Sequence, residues 1–376
     1  MSRNSTKVAP EESAPPRRSA AELEIACSPF VEKPNNEDVF WLQVPDGGIR
    51  NVIVWSPADA HKGIIVLLHG YGGNATRWQH LGEKYNAKGF KVYAMDQYGH
   101  GENPSNKKAA GMVGVTIDGM AADAVALCEL VQELHPNTPW FLHGRSMGGL
   151  IAIQATLTIQ ASPNFKGSIF CAPAVRVCGK GLVPPGCADW KLFRGLTNLV
   201  SAVSCGYWPN PAAVTKELSV EKAVQIKCKK DPRMFGDMIR AGFGKELFRA
   251  QDVLIPKLGT LTAPFWLGHG SGDTIVPLRS SELVWKGVGT SEGDRVFKKY
   301  EGLRHEIMNE PIREQVIGDI ISWFEDAAFM EEQRVLPPGS LEEDEGARLL
   351  TLQNMTIGGP AGGNAGADDI NGIETH

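Results

Sequence analysis

Ser146 stands between Gly144 and Gly148 in "HGRSMGGL", directly after the apolar run "PWFL" and directly before "LIAIQATLTI". A serine flanked in this way suits two roles. Its side chain can cap a helix whose neighbouring glycines are incidental. It can instead be a nucleophile on a sharp strand-to-helix turn, where close backbone contact excludes side chains at both flanking positions. In a chain with 42 glycines, chance alone supplies a Gly-x-Ser-x-Gly pattern about 0.2 times, so the pattern needs its context. A strand before it and an apolar helix after it favour the nucleophile.

A nucleophilic serine needs hydrogen-bond donors for the oxyanion it creates, a base, and an acid that orients the base. "HGYGG", His69 to Gly73, follows the apolar run "GIIVLL". Its small residues let backbone N–H groups approach a substrate, and the Tyr71 and Met147 N–H groups are the expected donors. A plain Gly-rich turn is the alternative. Among the histidines, His143 precedes Ser146 in the same strand and His376 ends the chain. His269 stands directly before an acid, in "HGSGD", and His305 follows the last strand, in "KYEGLRHE". Serine, acid, histidine is the chain order that goes with such a turn. The base is therefore His305 and the acid most simply Asp273, with Asp294 and Glu306 as rivals. This is acyl-transfer chemistry, for which no metal or organic cofactor is required.

The elements that must position these residues are legible as short apolar runs. "VFWLQVP" and "RNVIVWS" flank the turn "DGG" and form a hairpin. "GIIVLLH", "FKVYAMD", "PWFLHG", "GSIFCAP", "APFWLGHG" and "RVFKKYEG" follow, several of them solidly apolar, as strands covered on both faces must be. Helical patterns fill 75–88, 117–134, 147–160, 278–286 and 311–328. Strands alternating with helices predict an α/β chain with a largely parallel eight-stranded sheet. From about 176 to 260 no convincing strand appears, and helix-like, Pro-rich segments form an insertion between the sixth and seventh strands.

The organisation expected is a disordered leader over 1–36, a core over 37–175, a helical cap over 176–260, the rest of the core over 261–330, and an acidic Gly-rich disordered tail over 331–376. The net charge of −5 is concentrated in that tail, so the body is near neutral and carries no nucleic-acid footprint. The seven cysteines include no Cys-x-x-Cys pair and read as reduced thiols of an intracellular protein. No apolar run reaches 18 residues, so no membrane span is expected, and a cytoplasmic location follows.

Residues 40–328 resemble the monoacylglycerol lipase branch of the α/β-hydrolases, a group that includes lysophospholipase-like and plant phenolic-ester esterases. The resemblance rests on "HGYGG", "DQYGHG", "HGRSMGGL", "HGSGDTIVP" and "EGLRHE" and covers most of the chain. It implies the α/β-hydrolase fold and a catalytic Ser146, Asp273 and His305. The reaction it implies is hydrolysis of a lipid ester, monoacylglycerol plus water giving glycerol and fatty acid. Esterases on phenolic, lysophospholipid or other small esters are the alternative, with a peptidase or a non-catalytic binding module behind them. A cap after the sixth strand lies over the nucleophile. There Leu182, Leu192, Phe193 and Leu196 are expected to line an acyl tunnel, and the cap to touch a lipid surface. Two positions depart from the family pattern. Asn103 stands in "GHGENPS" where serine is usual, in a loop read as structural. Arg145 precedes the nucleophile, where it either attracts an anionic ester or, as favoured here, pairs with a carboxylate below the turn.

Overall fold

In the computed structural model, Gly63–Leu68 is buried on both faces, and its side chains divide between two cores. Ile64, Val66 and Leu68 enter one hydrophobic cluster and Ile65 and Leu67 the other. The period of two that sends successive side chains to opposite faces is the cause. Trp140 and Leu142 against Phe141, and Phe265 and Leu267 against Trp266, repeat the division.

The structure describes residues 37–103, 116–177, 207–209, 214–234 and 238–335. The strands are β1 Glu37–Gln43, β2 Ile49–Trp55, β3 Gly63–Leu68, β4 Phe90–Met95, β5 Trp140–Arg145, β6 Phe165–Cys171, β7 Tyr207–Pro209, β8 Met238–Arg240, β9 Phe265–Gly270 and β10 Arg295–Tyr300. Eight of them form one sheet in the order β1-β2-β4-β3-β5-β6-β9-β10. β1 with β2 and β2 with β4 are antiparallel, and every other pairing is parallel.

The helices are α1 Gln79–Ala87, α2 Ile117–Leu134, α3 Met147–Ile159, α4 Val214–Leu218, α5 Lys222–Lys230, α6 Ala241–Leu254, α7 Arg279–Gly287 and α8 Arg313–Val335. Leu127 of α2, Leu150 of α3, Leu254 of α6 and Val284 of α7 cover one face of the sheet. Leu81 and Tyr85 of α1 and Ile320 and Phe324 of α8 cover the other. Thr116 starts α2 by accepting a hydrogen bond from Gly119 N–H with its hydroxyl.

The chain runs from β3 to β4 on one side, then crosses to β5 on the other side of β3. That reversal opens a crevice at the C-terminal ends of β3 and β5, where ligands of open α/β sheets bind.

Three expectations are corrected. The segment 176–260 contains strands after all, β7 and β8, paired antiparallel. Three residues each are too few to show a period of two. Helix was expected from 75, but Ala75–Trp78 is a tighter 3₁₀ turn leading into α1. α8 runs to Val335, beyond the boundary drawn at 330. The leader 1–36 and the tail from 336 lie outside the described residues. The chain divides into two units, Met1–Ala328 and Phe329–His376, and in the second only the end of α8 is described. Cys128, Cys171 and Cys228 are free thiols. No helix among the described residues is long and apolar enough to cross a membrane.

Candidate active site

Ser146 has φ 59° and ψ −120°, a conformation that L-residues avoid and that persists only where the surroundings impose it. The surroundings are specific. Ser146 N–H donates to the Cys171 carbonyl at the end of β6 (2.9 Å), and its carbonyl accepts from Ala174 N–H (3.0 Å). A side chain at Gly144 would put its Cβ 2.2 Å from the Gly148 carbonyl oxygen, and one at Gly148 would stand 2.3 Å from that of Leu68. Backbone lies on the far side of both contacts, so neither position can yield. The turn therefore closes directly against β3, and a Cβ at Gly70 would lie 3.5 Å from Ser146 Oγ.

The loop after β3 is held by two histidines that each donate from Nδ1 and accept at Nε2. His69 Nδ1 donates to the Gly70 carbonyl (2.8 Å) and its Nε2 accepts from Gln97 N–H (3.0 Å). His100 Nδ1 donates to the Tyr98 carbonyl (2.8 Å) and its Nε2 accepts from Gly72 N–H (3.0 Å). These patterns require neutral rings. Burial pushes His69 well below its ordinary pKa and takes His100 to about 4. Asn103 is structural: its Oδ1 accepts from Asn51 N–H, and its Nδ2 donates to the Asp96 and Gln97 carbonyls. Tyr71 lies within the loop, its ring stacked on Phe243 of α6 at 4.4 Å and 15°. Met147 opens α3, so its N–H has no intrahelical acceptor.

Asp273 and His305 come together beyond the ends of β9 and β10. His305 Nδ1 lies 2.6 Å from Asp273 Oδ2, while Asp273 Oδ1 accepts from Ile275 N–H (2.8 Å) and Val276 N–H (2.9 Å). Burial raises the pKa of Asp273, but the charge of His305 and hydrogen bonds from His269 and His305 outweigh it. The carboxyl stays well below the usual range. Asp294 lies at the opposite end, just before the first residue of β10. Glu306 is committed to two arginines. His269 is fully buried, its Nδ1 2.6 Å from Ser281 Oγ and its Nε2 facing the Val276 carbonyl (2.9 Å) and Asp273 Oδ2 (3.2 Å). It is a second neighbour of the acid. His143 is sealed in the core against Tyr85 Oη and Cys171 Sγ.

Arg145 is 2% exposed, its Nη2 3.0 Å from Glu306 Oε1 and its guanidinium 4.7 Å above the Trp78 ring. This favours pairing over attraction of an anionic ester. Arg77 also binds Glu306, at 2.7 Å, a participant that no motif singles out. Leu182, Leu192, Phe193 and Leu196 lie outside the described residues. Among the described residues, no group of three His, Cys, Asp or Glu side chains is placed to hold a metal ion.

A mostly parallel eight-stranded sheet with a strained serine at the end of its fifth strand defines an α/β-hydrolase. More narrowly, the chain belongs to the serine aminopeptidase S33 family, whose profile matches residues 59–312. It is 28% identical over 278 residues to a monoacylglycerol lipase of Mycolicibacterium smegmatis, covering 74% of this chain and 93% of that one. It is also 28% identical over 275 residues to caffeoylshikimate esterase of Arabidopsis thaliana, covering 70% and 78%. Among solved structures, a soluble variant of monoglyceride lipase from Saccharomyces cerevisiae superposes with a TM-score of 0.66. That match has 18% identity over 80% of this chain and 99% of that one.

Proposed function

We propose that this chain is a serine carboxylic-ester hydrolase that converts monoacylglycerol and water to glycerol and a fatty acid. The observation that carries the proposal is the strained Ser146 at the sheet edge where Asp273 and His305 meet at 2.6 Å. Ser146 Oγ attacks the ester carbonyl while His305 Nε2 takes its proton. Asp273 holds the Nδ1 proton, fixes the tautomer and stabilises the imidazolium. The oxyanion rests on the Tyr71 and Met147 N–H groups, each contributing about 3 kcal/mol in the transition state. His305 then returns the proton to the leaving glycerol oxygen, and water releases the acyl group by the same route.

Similarity to the M. smegmatis lipase supports the choice of substrate. The equal identity to caffeoylshikimate esterase keeps a phenolic-ester reading in view. In our reading the insertion over 176–260 is a cap that shapes an acyl site and meets a lipid surface, and the enzyme works in the cytoplasm. Phe243, set against Tyr71, supports the first part of this. The purified chain should hydrolyse monoacylglycerols faster than acetyl or phenolic esters. Preference for the phenolic ester would transfer the assignment to the esterase reading.

A further inference from the structure

Arg145 is bonded directly to Ser146, and Glu306 directly to His305, so the 3.0 Å contact between their side chains joins the two chain segments that must react together. We infer that Arg145 and Glu306 form a positioning pair that sets the distance and angle between the Ser146 hydroxyl and the His305 imidazole. The inference rests on the ester-hydrolase function proposed above.

His305 sits outside the regular secondary structure. It lies beyond the end of β10, in a stretch that has no strand ladder and only a 3₁₀ turn, Ile307–Asn309. Asp273 grips the ring at Nδ1, which fixes how the imidazole turns. The rest of the loop is anchored to the turn after β9 and to the core: Gly272 N–H donates to the Leu303 carbonyl (2.9 Å), Gly302 N–H to Ser271 Oγ (2.8 Å), and Ile307 and Met308 are fully buried. The Ser146 turn is clamped in its own way, by backbone bonds to β6 and by glycine contacts to β3. What remains is to join the two segments to each other, and Glu306 does so through Arg145, the residue beside the nucleophile.

The chemistry of that tether is exacting. Glu306 is 1% exposed, and both of its oxygens are used: Oε1 meets Arg145, and Oε2 meets Arg77 (2.7 Å) and Asn309 Nδ2 (2.6 Å). Burial pushes its pKa up, but the two arginine charges outweigh this and bring it to about 2, so the carboxylate is ionised. The Arg145 guanidinium is in turn fixed over Trp78. Such an arrangement has one low-energy geometry, because separating any member leaves a buried charge without its partner. Arg77 reaches on to Cys228 Sγ of α5 (3.0 Å), and Glu306 N–H donates to the Leu218 carbonyl at the end of α4 (2.7 Å). The insertion thereby braces the same loop. A displacement of about 1 Å between nucleophile and base can cost about 100-fold in rate.

The test uses the full chain with Arg145→Met, Glu306→Gln and the double variant. Three quantities are read on folded protein: kcat and KM for a short soluble ester, and the rate of Ser146 labelling by a fluorophosphonate. We expect kcat and the labelling rate to fall together by about 10- to 100-fold, with KM changed less than about threefold. The double variant should be no slower than the slower single, as for residues acting as one unit. Folded variants with wild-type kcat and labelling rate, or a loss confined to KM, would overturn the inference. If these variants do not fold, Arg145→Lys and Glu306→Asp keep both charges but change the geometry. A lowered kcat in them supports positioning, and a wild-type kcat overturns it. An unmodified chain that neither hydrolyses esters nor labels at Ser146 would overturn the proposed function, and this inference with it. An active chain with fully active variants overturns the inference alone.

Discussion

The ring of Phe243 lies flat against that of Tyr71, centroids 4.4 Å apart and planes 15° apart. Through it α6, the last helix of the insertion, rests on the loop whose Tyr71 N–H is proposed to hold the oxyanion. Stacking of this kind contributes about 0.5–1.5 kcal/mol beyond the area it buries. Phe243→Leu keeps most of the buried volume but loses the stack. We expect kcat on a short ester to fall about two- to tenfold while Tm changes little. Phe243→Ala should add a loss of stability of about 3–5 kcal/mol, since Phe243 is buried. An unaltered kcat in Phe243→Leu would show that the oxyanion loop holds its shape without the insertion.

Ser146→Ala should abolish fluorophosphonate labelling and reduce turnover by roughly 10⁴-fold or more, with the fold retained. Asp273→Asn should cost about 10⁴-fold in kcat, because the amide favours the wrong imidazole tautomer. Mass spectrometry of the labelled peptide checks the first. Label found on another serine of the Ser146→Ala variant would refute the assignment.

The eight sheet strands could be read from the sequence because each is six or seven residues long, and most are buried enough to show continuous or alternating apolar residues. β7 and β8 could not, since three-residue strands carry no such signal. Ser146 was legible because the glycines on either side of it have no alternative: backbone occupies the space a side chain would need. The choice of Asp273 over Asp294 and Glu306 depended on which end of a strand each acid occupies and what already neutralises it. Spacing alone cannot convey that. His269 shows the limit most plainly. It precedes Asp273 by four residues, and only the packing of α7 brings Ser281 to its other nitrogen and fixes it as a partner of the acid.

Glu306 makes a pH prediction with a definite sign. Its carboxyl ordinarily titrates at 4.5 and is held at about 2 in the folded chain. The stabilisation is therefore fully present above about pH 4.5 and is lost as the pH falls toward 2, while the unfolded chain takes up the proton first. Wild type should exceed Glu306→Gln in Tm at pH 7, and the gap should narrow steadily as the pH falls from about 4.5 toward 2. Calorimetric or fluorescence melts across that range measure it. A gap independent of pH would mean that Glu306 acts through packing, not charge.

The acyl chain offers the sharpest separation between a lipase and a small-ester esterase. A buried methylene contributes about 0.8 kcal/mol, or roughly fourfold in binding, so an apolar site under the insertion should reward each added carbon until its length is filled. We expect kcat/KM to rise from acetyl to at least octanoyl esters. Monoacylglycerols should be cleaved in preference to triacylglycerols, whose three chains would not fit the single acyl site proposed for the insertion. A bulky replacement at Leu196, which the sequence places in the insertion, should shift the optimum to shorter chains and leave acetyl esters nearly untouched. Arg145, buried and paired with Glu306, should have no part in this selectivity. Arg145→Met should therefore slow neutral esters and the anionic lysophosphatidic acid by the same factor. A flat or falling chain-length profile would remove the monoacylglycerol assignment and promote hydrolysis of phenolic or other small esters, with the same three residues doing the chemistry.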